Sequence, residues 1–487
     1  MPILSLHERA HGDRPALVAD AEGRLTYRDL RRVVSQSRPL FEGRDKALVA
    51  VFCDRDLDSV TAYLASLAQG HACGFFGDVA EPVQTSLVAT YQPEFVVHSP
   101  RTVAPGWLGP DDYHPCGFLP GGAVVHRRKG ASEGTIFGDL ALLLATSGST
   151  DNPKVVRISQ ANLEANAVSI VAALGIDAAE RAITSLPLSH CYGLSVLNSH
   201  LVAGASIAVC ADRVLSTRFW RTVAGNAVTS FAGVPAVYEL LRARRFDPAL
   251  YPSLTTLTQA GGQLSGDHIG HYADLMERQG GFFWVMYGQT EATARITCLP
   301  AVNWRSRPGS VGRVIPGGRL GIEDPDGVPL PDGQQGAIVY YGPNVMLGYA
   351  QSRADLAQGD LLGGRLVTGD LGYLLDGYLY LTGRAKRIVK ILGYRVELDQ
   401  VEMAFAAAGP ARAVRGDGEN IVVFVEGPGD QYEAVRRQLC GQLGLPPGVL
   451  TVRPVEAIPV TRTGKADYGA LTRLAASAGA CPGGGRP

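Results

Sequence analysis

LLLATSGSTDNPK, Leu142 to Lys154, turns from an apolar run directly into a hydroxyl-rich loop closed by a lysine. Leu142, Leu143 and Leu144 suit a buried strand. Thr146, Ser147, Ser149 and Thr150 then supply hydroxyls, Gly148 lets the backbone approach a ligand closely, and Lys154 carries a mobile positive charge suited to phosphate oxygens. The stretch reads as a phosphate-holding loop at a strand end, with an ordinary polar strand-to-helix connection as the alternative. It is not a Walker loop, because G-x-x-x-x-G-K-[ST] does not occur. Ile158 to Leu174 carries Ala and Leu at helical spacing with Ser159 as a cap, so the loop is expected to end near a helix N-terminus, a placement that favours anions.

Before the loop, strand-like runs such as Ala47 to Phe52 alternate with helix-like ones such as Leu57 to Leu67, as α/β layers with parallel strands require. In GRLTYRDL, Thr26 and Asp29 are spaced to cap a helix entering at Tyr27. After the loop, RAITSLPLSHCYGLS reads as a strand running into a loop with one histidine, His190. Leu254 to Ala260 is a strand followed by Gly261, Gly262 and Gln263. Phe282 to Met286 is another, followed by Tyr287, Gly288, Gln289, Thr290 and Glu291. Two strand ends carrying glycine suit a ligand crevice at the carboxyl edge of a sheet, although YGQTE equally reads as a bare turn.

From Arg313 to Leu381 the chain becomes glycine-rich with short strands, a compact β subdomain. Within it Asp370 offers a carboxylate that can accept from both hydroxyls of a ribose. Arg384 can reach hydroxyl or phosphate, and either residue could equally serve a surface turn. AKRIVKILGYRVELDQVE then gives two short strands meeting at Gly393 and a helix around Leu398 to Ala408. A strand at Ile421 to Val425, a helix with Tyr432, Val435, Leu439 and Leu443 on one face, and a strand near Val449 to Arg453 follow. TRTGK sets Lys465 between two rigid elements, and GACPGGGRP is expected to be disordered.

At 487 residues, 46% hydrophobic and 19% charged, the chain exceeds what one core can organise, so two or three units are expected. A formal net charge of -1 gives no general reason to bind nucleic acid or an anionic membrane. The eight cysteines lack CxxC or CxxxC pairing, which argues against a zinc site and a disulfide framework and for a reduced, cytoplasmic setting. No signal peptide stands at the start, and no run approaches the roughly 18 apolar residues of a membrane helix, so neither secretion nor a membrane span is expected.

Taken together and in order, TSGSTDNPK, YGQTE, VTGD, GRAKRIVKILGYRVE and TRTGK resemble the adenylate-forming superfamily of acyl-CoA synthetases, luciferases and nonribosomal peptide adenylation domains. The resemblance spans nearly the whole chain. It implies an α/β fold in which a large multi-subdomain N-terminal domain, residues 1–384, precedes a small mobile α+β domain, residues 385–475, and a disordered tail, residues 476–487. It also implies joining of a carboxylic acid to AMP with release of pyrophosphate, then transfer of the acyl group to a thiol. In-line attack at the α-phosphate calls for charge stabilisation more than covalent chemistry.

Carried over residue by residue, Thr146 to Lys154 hold the β- and γ-phosphates, Thr290 bonds the α-phosphate, and Glu291 holds Mg²⁺. Tyr287, Gly288 and the backbone at Gly261, Gly262 and Gln263 frame the adenine, and Asp370 takes the ribose hydroxyls with Arg384 beside it. Lys465 bridges the substrate carboxylate and the α-phosphate. The domain pivot falls on Lys386, and Gly393 leaves room for the thiol. Two positions depart from the family's usual pattern: Asp151 replaces glycine or serine, and Val155 stands where glycine often follows the lysine. The first puts ATP affinity in doubt.

Family members that take α-amino acids place an aspartate about thirteen residues before a small-residue Gly-Ala pair. Counting back from Gly204-Ala205 reaches Cys191, beside His190, so an acyl or aryl acid is favoured, with His190, Cys191 and Gly288 in the acid pocket. The expected thiol is CoA or the phosphopantetheine of a separate carrier protein. A stand-alone amino-acid adenylating ligase that loads a carrier protein is the alternative, and a non-catalytic binding module is the remote one.

Overall fold

The helix Leu57–Ala68 is buried on every face from Leu57 to Leu67, which requires apolar neighbours all round it. Two sheets supply most of them. The computed structural model describes residues 12–477 apart from 20–22, 44, 100–105, 107, 109–111, 146–154, 385–386, 392–393, 406–407, 417–419, 428–431, 444, 447 and 462–465. These residues fall into two units, one of residues 1–320 with 340–366 and one of residues 321–339 with 367–487.

In the first unit, one sheet runs in the order Gly348–Ala350, Val155–Ser159, Leu140–Ala145, Ala72–Phe75, Leu48–Phe52, Phe95–His98, Val124–Arg128, Tyr113–Phe118, and its middle four strands are parallel. LVAVF and LALLLA, without polar alternation, are what strands covered on both faces need. The other sheet is parallel from Phe282–Tyr287 through Thr256–Gln259, Ser230–Gly233, Arg181–Ile183 and Ser206–Val209 to Pro15–Ala19. One apolar core joins both sheets. Val49 and Val51 of the first and Ile207 and Val209 of the second share it with Tyr63 and Leu64 of Leu57–Ala68 and with Leu194 and Leu197 of the helix Cys191–Val202. The cap expected before Tyr27 is present: the Thr26 hydroxyl accepts from Asp29 N at 3.1 Å, and the Asp29 carboxylate accepts from Thr26 N at 3.1 Å.

One local expectation is corrected. Ile158 does not open a helix; it belongs to the strand Val155–Ser159, antiparallel to Leu140–Ala145, and the helix Gln160–Leu174 starts only after Ser159, which does cap it. Residues 146–154 therefore connect two antiparallel strands, and the helix N-terminus stands at the far end of the second one. The reason is the run Val155-Val156-Arg157-Ile158, whose β-branched side chains favour a pleated strand. Arg157 is fully buried, and carbonyls of Leu347, Tyr349, Gln358 and Gly359 accept from its guanidinium. Val155, one of the two departures noted above, is buried and pairs with Ala145 and Ala350.

The second unit holds most of the long antiparallel pair Arg365–Leu375 and Tyr378–Arg384. It also contains the hairpin of Ile388–Ile391 with Tyr394–Glu397 and a three-stranded sheet in the order Ala411–Arg415, Ile421–Glu426, Leu450–Val455. The helix expected to reach Ala408 is Leu398–Phe405 and ends earlier. The last helix, Tyr468–Ser477, takes in Ala476 and Ser477, the first two residues of the expected tail. The expected change of domain at 384/385 lies inside this second unit.

Immediately after that position, Arg387 is locked into a half-buried cluster. It pairs with Asp399 at 3.0 Å and Glu402 at 2.5 Å, lies 4.0 Å over the Tyr468 ring, and the Tyr468 hydroxyl donates to Glu402 at 3.2 Å. Glu402 also accepts from Ala413 N at 2.8 Å, so its removal leaves that amide and the Tyr468 hydroxyl without their acceptor and Arg387 with one carboxylate instead of two. Glu402→Ala is expected to lower the stability of this unit by about 3 kcal/mol, seen as roughly 10²-fold faster amide exchange in Ala411–Glu426. Unchanged exchange there would contradict the assignment.

Candidate functional site

Two neighbouring parallel strands, Thr256–Gln259 and Phe282–Tyr287, end side by side with Gln259 opposite Val285. Each passes into glycine. Gly261 sits at φ +88°, a conformation that disfavours side chains, and the turn is held by Gln259 Nε2 donating to Gly262 O at 2.8 Å, leaving Gly262 and Gln263 exposed. Tyr287 is buried at the end of its strand. A Cβ on Gly288 would come within 2.0 Å of Ala294 O, so only glycine lets the segment after the strand fold back onto it.

That segment carries Thr290 and Glu291 on the short helix Thr290–Ala292 and then passes through two strained residues, Thr293 at φ +56° and Ala294 at φ +128°. Strain of this kind costs of order 1–3 kcal/mol per residue and persists only where surroundings impose it. Here the buried Asn344 imposes it. Its Nδ2 donates to Ala292 O at 2.8 Å and Arg295 O at 2.9 Å, its Oδ1 accepts from Tyr340 at 2.7 Å, and its carbonyl accepts from the Thr293 hydroxyl at 2.6 Å. Glu291 is fixed separately, its Oε1 accepting from the Tyr349 hydroxyl at 2.6 Å. Burial pushes the Tyr349 hydroxyl up, and the Glu291 carboxylate pushes it further, so it stays a donor.

The helix Cys191–Val202 brings in the third element. His190 caps it, its Nδ1 accepting from Tyr192 N at 3.3 Å. The Thr290 hydroxyl donates to the Cys191 sulfur at 3.3 Å, bringing together segments 99 residues apart. The loop before His190 is anchored by Asp54, which accepts from Leu188 N at 2.7 Å and from the Ser189 hydroxyl at 2.6 Å. Burial raises the Asp54 carboxyl, and these hydrogen bonds pull it back.

Asp370 and Arg384 belong to the second unit. They lie opposite each other on paired strands, with Arg384 Nε 2.9 Å from Asp370 Oδ1, the carboxylate buried and the guanidinium exposed. Thr146, Ser147, Gly148, Ser149, Thr150, Asp151, Lys154, Lys386, Gly393 and Lys465 lie outside the described residues. Asp54, Asn344, Tyr349, Arg295 and Asp399 were not picked out from the sequence. Of these only Arg295 carried a local signal, a charge set inside the apolar run ATARITCL.

Among the described residues, no group of three or more His, Cys, Asp or Glu could hold a metal ion. One carboxylate with an oxygen committed to Tyr349 does fit Mg²⁺, which is commonly held by one or two carboxylates together with substrate phosphates and water. Also among the described residues, no helix is long and apolar enough to cross a membrane.

A family model described as AMP-binding enzyme matches residues 126–350. A sulfoacetate–CoA ligase of Cupriavidus necator is 34% identical over 296 residues, 58% of this chain and 57% of that protein. A feruloyl-CoA synthase of an Amycolatopsis species is 30% identical over 355 residues, 69% of this chain and 70% of that protein. The chain spans between 50% and 57% of the length of the curated relatives it matches first. Among solved structures, o-succinylbenzoate CoA synthetase of Bacillus subtilis with its acyl-adenylate superposes with a TM-score of 0.76 at 19% identity, over 96% of this chain and 97% of that one. That likeness is one of fold: mixed α/β with a large sheet-rich N-terminal part.

Proposed function

Because this chain belongs to the AMP-binding enzyme family, we propose that it is an ATP-dependent acid–thiol ligase. It activates a carboxylic acid as an acyl-adenylate, releases pyrophosphate, and passes the acyl group to the thiol of CoA or of a carrier protein's phosphopantetheine. The observation that carries this reading is the 3.3 Å contact between the Thr290 hydroxyl and the Cys191 sulfur, which sets the phosphate-facing motif against the start of the acid-facing helix.

A carboxylate is a poor electrophile, and transfer to AMP gives its carbonyl a good leaving group. In this reading the Thr290 hydroxyl turns from sulfur to an α-phosphate oxygen, a stronger, charge-assisted acceptor. Thr146 to Lys154 hold the β- and γ-phosphates, and Glu291 holds Mg²⁺. When bound, that ion neutralises phosphate charge as the in-line displacement proceeds. Tyr287, Gly288 and the Gly261 to Gln263 backbone frame the adenine, Asp370 accepts from the ribose hydroxyls, and Arg384 orients Asp370. Lys465 bridges carboxylate and phosphate. His190 and Cys191, rather than a carboxylate, border the acid. An ammonium group there would lack its ion pair, so an acid without an α-amine is favoured.

Pyrophosphate release from ATP, measured with a panel of acids with and without α-amines, tests the reading. Release driven by at least one acid supports it, whereas nucleotide turnover independent of every acid would refute it. The Tyr349 contact makes a narrower prediction. A hydrogen bond to a charged group is worth about 1.5–3 kcal/mol, so Tyr349→Phe is expected to lower kcat/KM for pyrophosphate release at least about tenfold and to raise the Mg²⁺ concentration required. Unchanged Mg²⁺ dependence would separate Glu291 from the metal.

A further inference from the structure

The protein buries two arginines almost completely, Arg157 and Arg295, and treats them differently. Backbone carbonyls take up the Arg157 guanidinium. Arg295 is 1% exposed, yet its Nε and Nη1 have no hydrogen-bond partner, and no carboxylate pairs with it among the described residues. Its nearest electronic partner is the Tyr192 ring, 4.8 Å from the guanidinium carbon. Leaving a buried cation half satisfied costs several kcal/mol. The backbone that carries it is itself strained at Thr293 and Ala294 and clamped by Asn344, so two independent costs converge on holding this guanidinium where it is.

Arg295 lines a small cavity of about 20 Å³ together with Ser195, Ser199, Thr258, Tyr192 and Glu180. Tyr192 does not compete as an anion: burial pushes its hydroxyl up to about 12, although Arg295 pulls it back, and it stays protonated and donates to Thr258 O at 2.9 Å. Glu180 lies 3.7 Å from His200 Nε2 rather than on Arg295. The cavity shares an element with the acid-facing residues: Tyr192, Ser195 and Ser199 lie on the helix Cys191–Val202 that His190 caps. It is small and excludes a ring.

We infer that this recess receives a second anionic group of the acid substrate, so that the enzyme selects short acids bearing a carboxylate or sulfonate at the end remote from the reacting carboxyl, with Arg295 as the specificity-determining residue. The inference rests on the acid-activating function proposed above. A site built to pair a charge rejects the analogue that lacks it strongly, since its own cation is then left buried and unpaired.

The test compares pairs of equal length: malonate with propionate, succinate with butyrate, glutarate with valerate, and 3-sulfopropionate as the sulfonate arm. In the wild-type protein, kcat/KM for pyrophosphate release is expected to favour the best dianion over its monoanionic partner by about 10²-fold or more. Arg295→Met is expected to cut that ratio at least about tenfold while sparing the monoanion, and Arg295→Lys to retain part of it. A wild-type enzyme that uses monoanions as well as dianions, or an Arg295→Met variant that loses both equally with the ratio unchanged, would overturn the inference. Binding provides a readout independent of turnover and of the variants' folding: without ATP, succinate or malonate raises the wild-type melting temperature and butyrate or propionate does not. If no acid drives pyrophosphate release, the functional reading fails, yet dianion-selective binding would still establish the recess. If release occurs with monoanions alone, the recess fails and the functional reading stands.

Discussion

Lys465→Ala is expected to reduce acid-dependent pyrophosphate release by about 10²- to 10³-fold, the usual loss when one preorganised contact to developing transition-state charge is removed. It is expected to leave thioester formation from supplied acyl-adenylate close to wild type. The asymmetry follows from where charge builds. In adenylation a carboxylate and a phosphate, both anionic, are driven together, and a lysine between them offsets their repulsion most at the transition state. In the second half-reaction a thiolate displaces AMP from an already neutral carbonyl, and that cation is no longer between two anions. Lys465 lies outside the described residues, and its role is carried by the TRTGK motif. Separate assay of the two half-reactions checks it, and equal loss in both would remove Lys465 from the adenylation step.

Lys386→Pro is expected to give the opposite phenotype: adenylation retained, thioester formation blocked. With Lys465 over the phosphate, as proposed, the same site would have no room to admit a long pantetheine arm to the carbonyl, so the proposal requires the segment carrying Lys465 to move between steps. A pivot absorbs such a change in a few backbone dihedrals, and proline fixes φ near about -65°. The flanks of the pivot are described even though Lys386 itself is not. Asp399 accepts from Arg384 N at 2.8 Å on one side and pairs with Arg387 at 3.0 Å on the other, and Arg387 is locked onto Glu402 and Tyr468. On the proposed pivot, rotation about residue 386 would carry Arg387 and Asp399 together and part Asp399 from the Arg384 amide. Unimpaired thioester formation in the proline variant would place the pivot elsewhere.

Where the sequence was legible, the signal was local and repetitive. Apolar runs such as LVAVF and LALLLA, the Thr26–Asp29 cap and the two glycine-ended strands each announce their structure within a few residues, because burial on both faces, capping and tight turns impose composition directly. Ile158 falls in a strand, not in the expected helix, although it continues the spacing of the Ala- and Leu-rich stretch that Ser159 does cap. That short strand is fixed by pairing with Leu140–Ala145 and Gly348–Ala350, one of which is nearly 200 residues away. The residues that shape the site beyond its motifs were illegible for the same reason. Asn344 and Tyr349 act on Ala292, Arg295 and Glu291 from some fifty residues downstream, and neither sits in a pattern that marks it. Arg295 did break an apolar run, but only the cavity beside it gives that charge a purpose.

The central claim, activation of a carboxylic acid through an acyl-adenylate, is tested most directly by isotope transfer. With the best substrate acid labelled with ¹⁸O in its carboxyl group, attack of the carboxylate on the α-phosphate and later cleavage of the acyl–oxygen bond by the thiol leave one labelled oxygen on AMP. The account predicts AMP carrying a single ¹⁸O, with pyrophosphate unlabelled. Label appearing in inorganic phosphate alongside ADP, the mark of an acyl-phosphate route, or AMP formed without label, would contradict it.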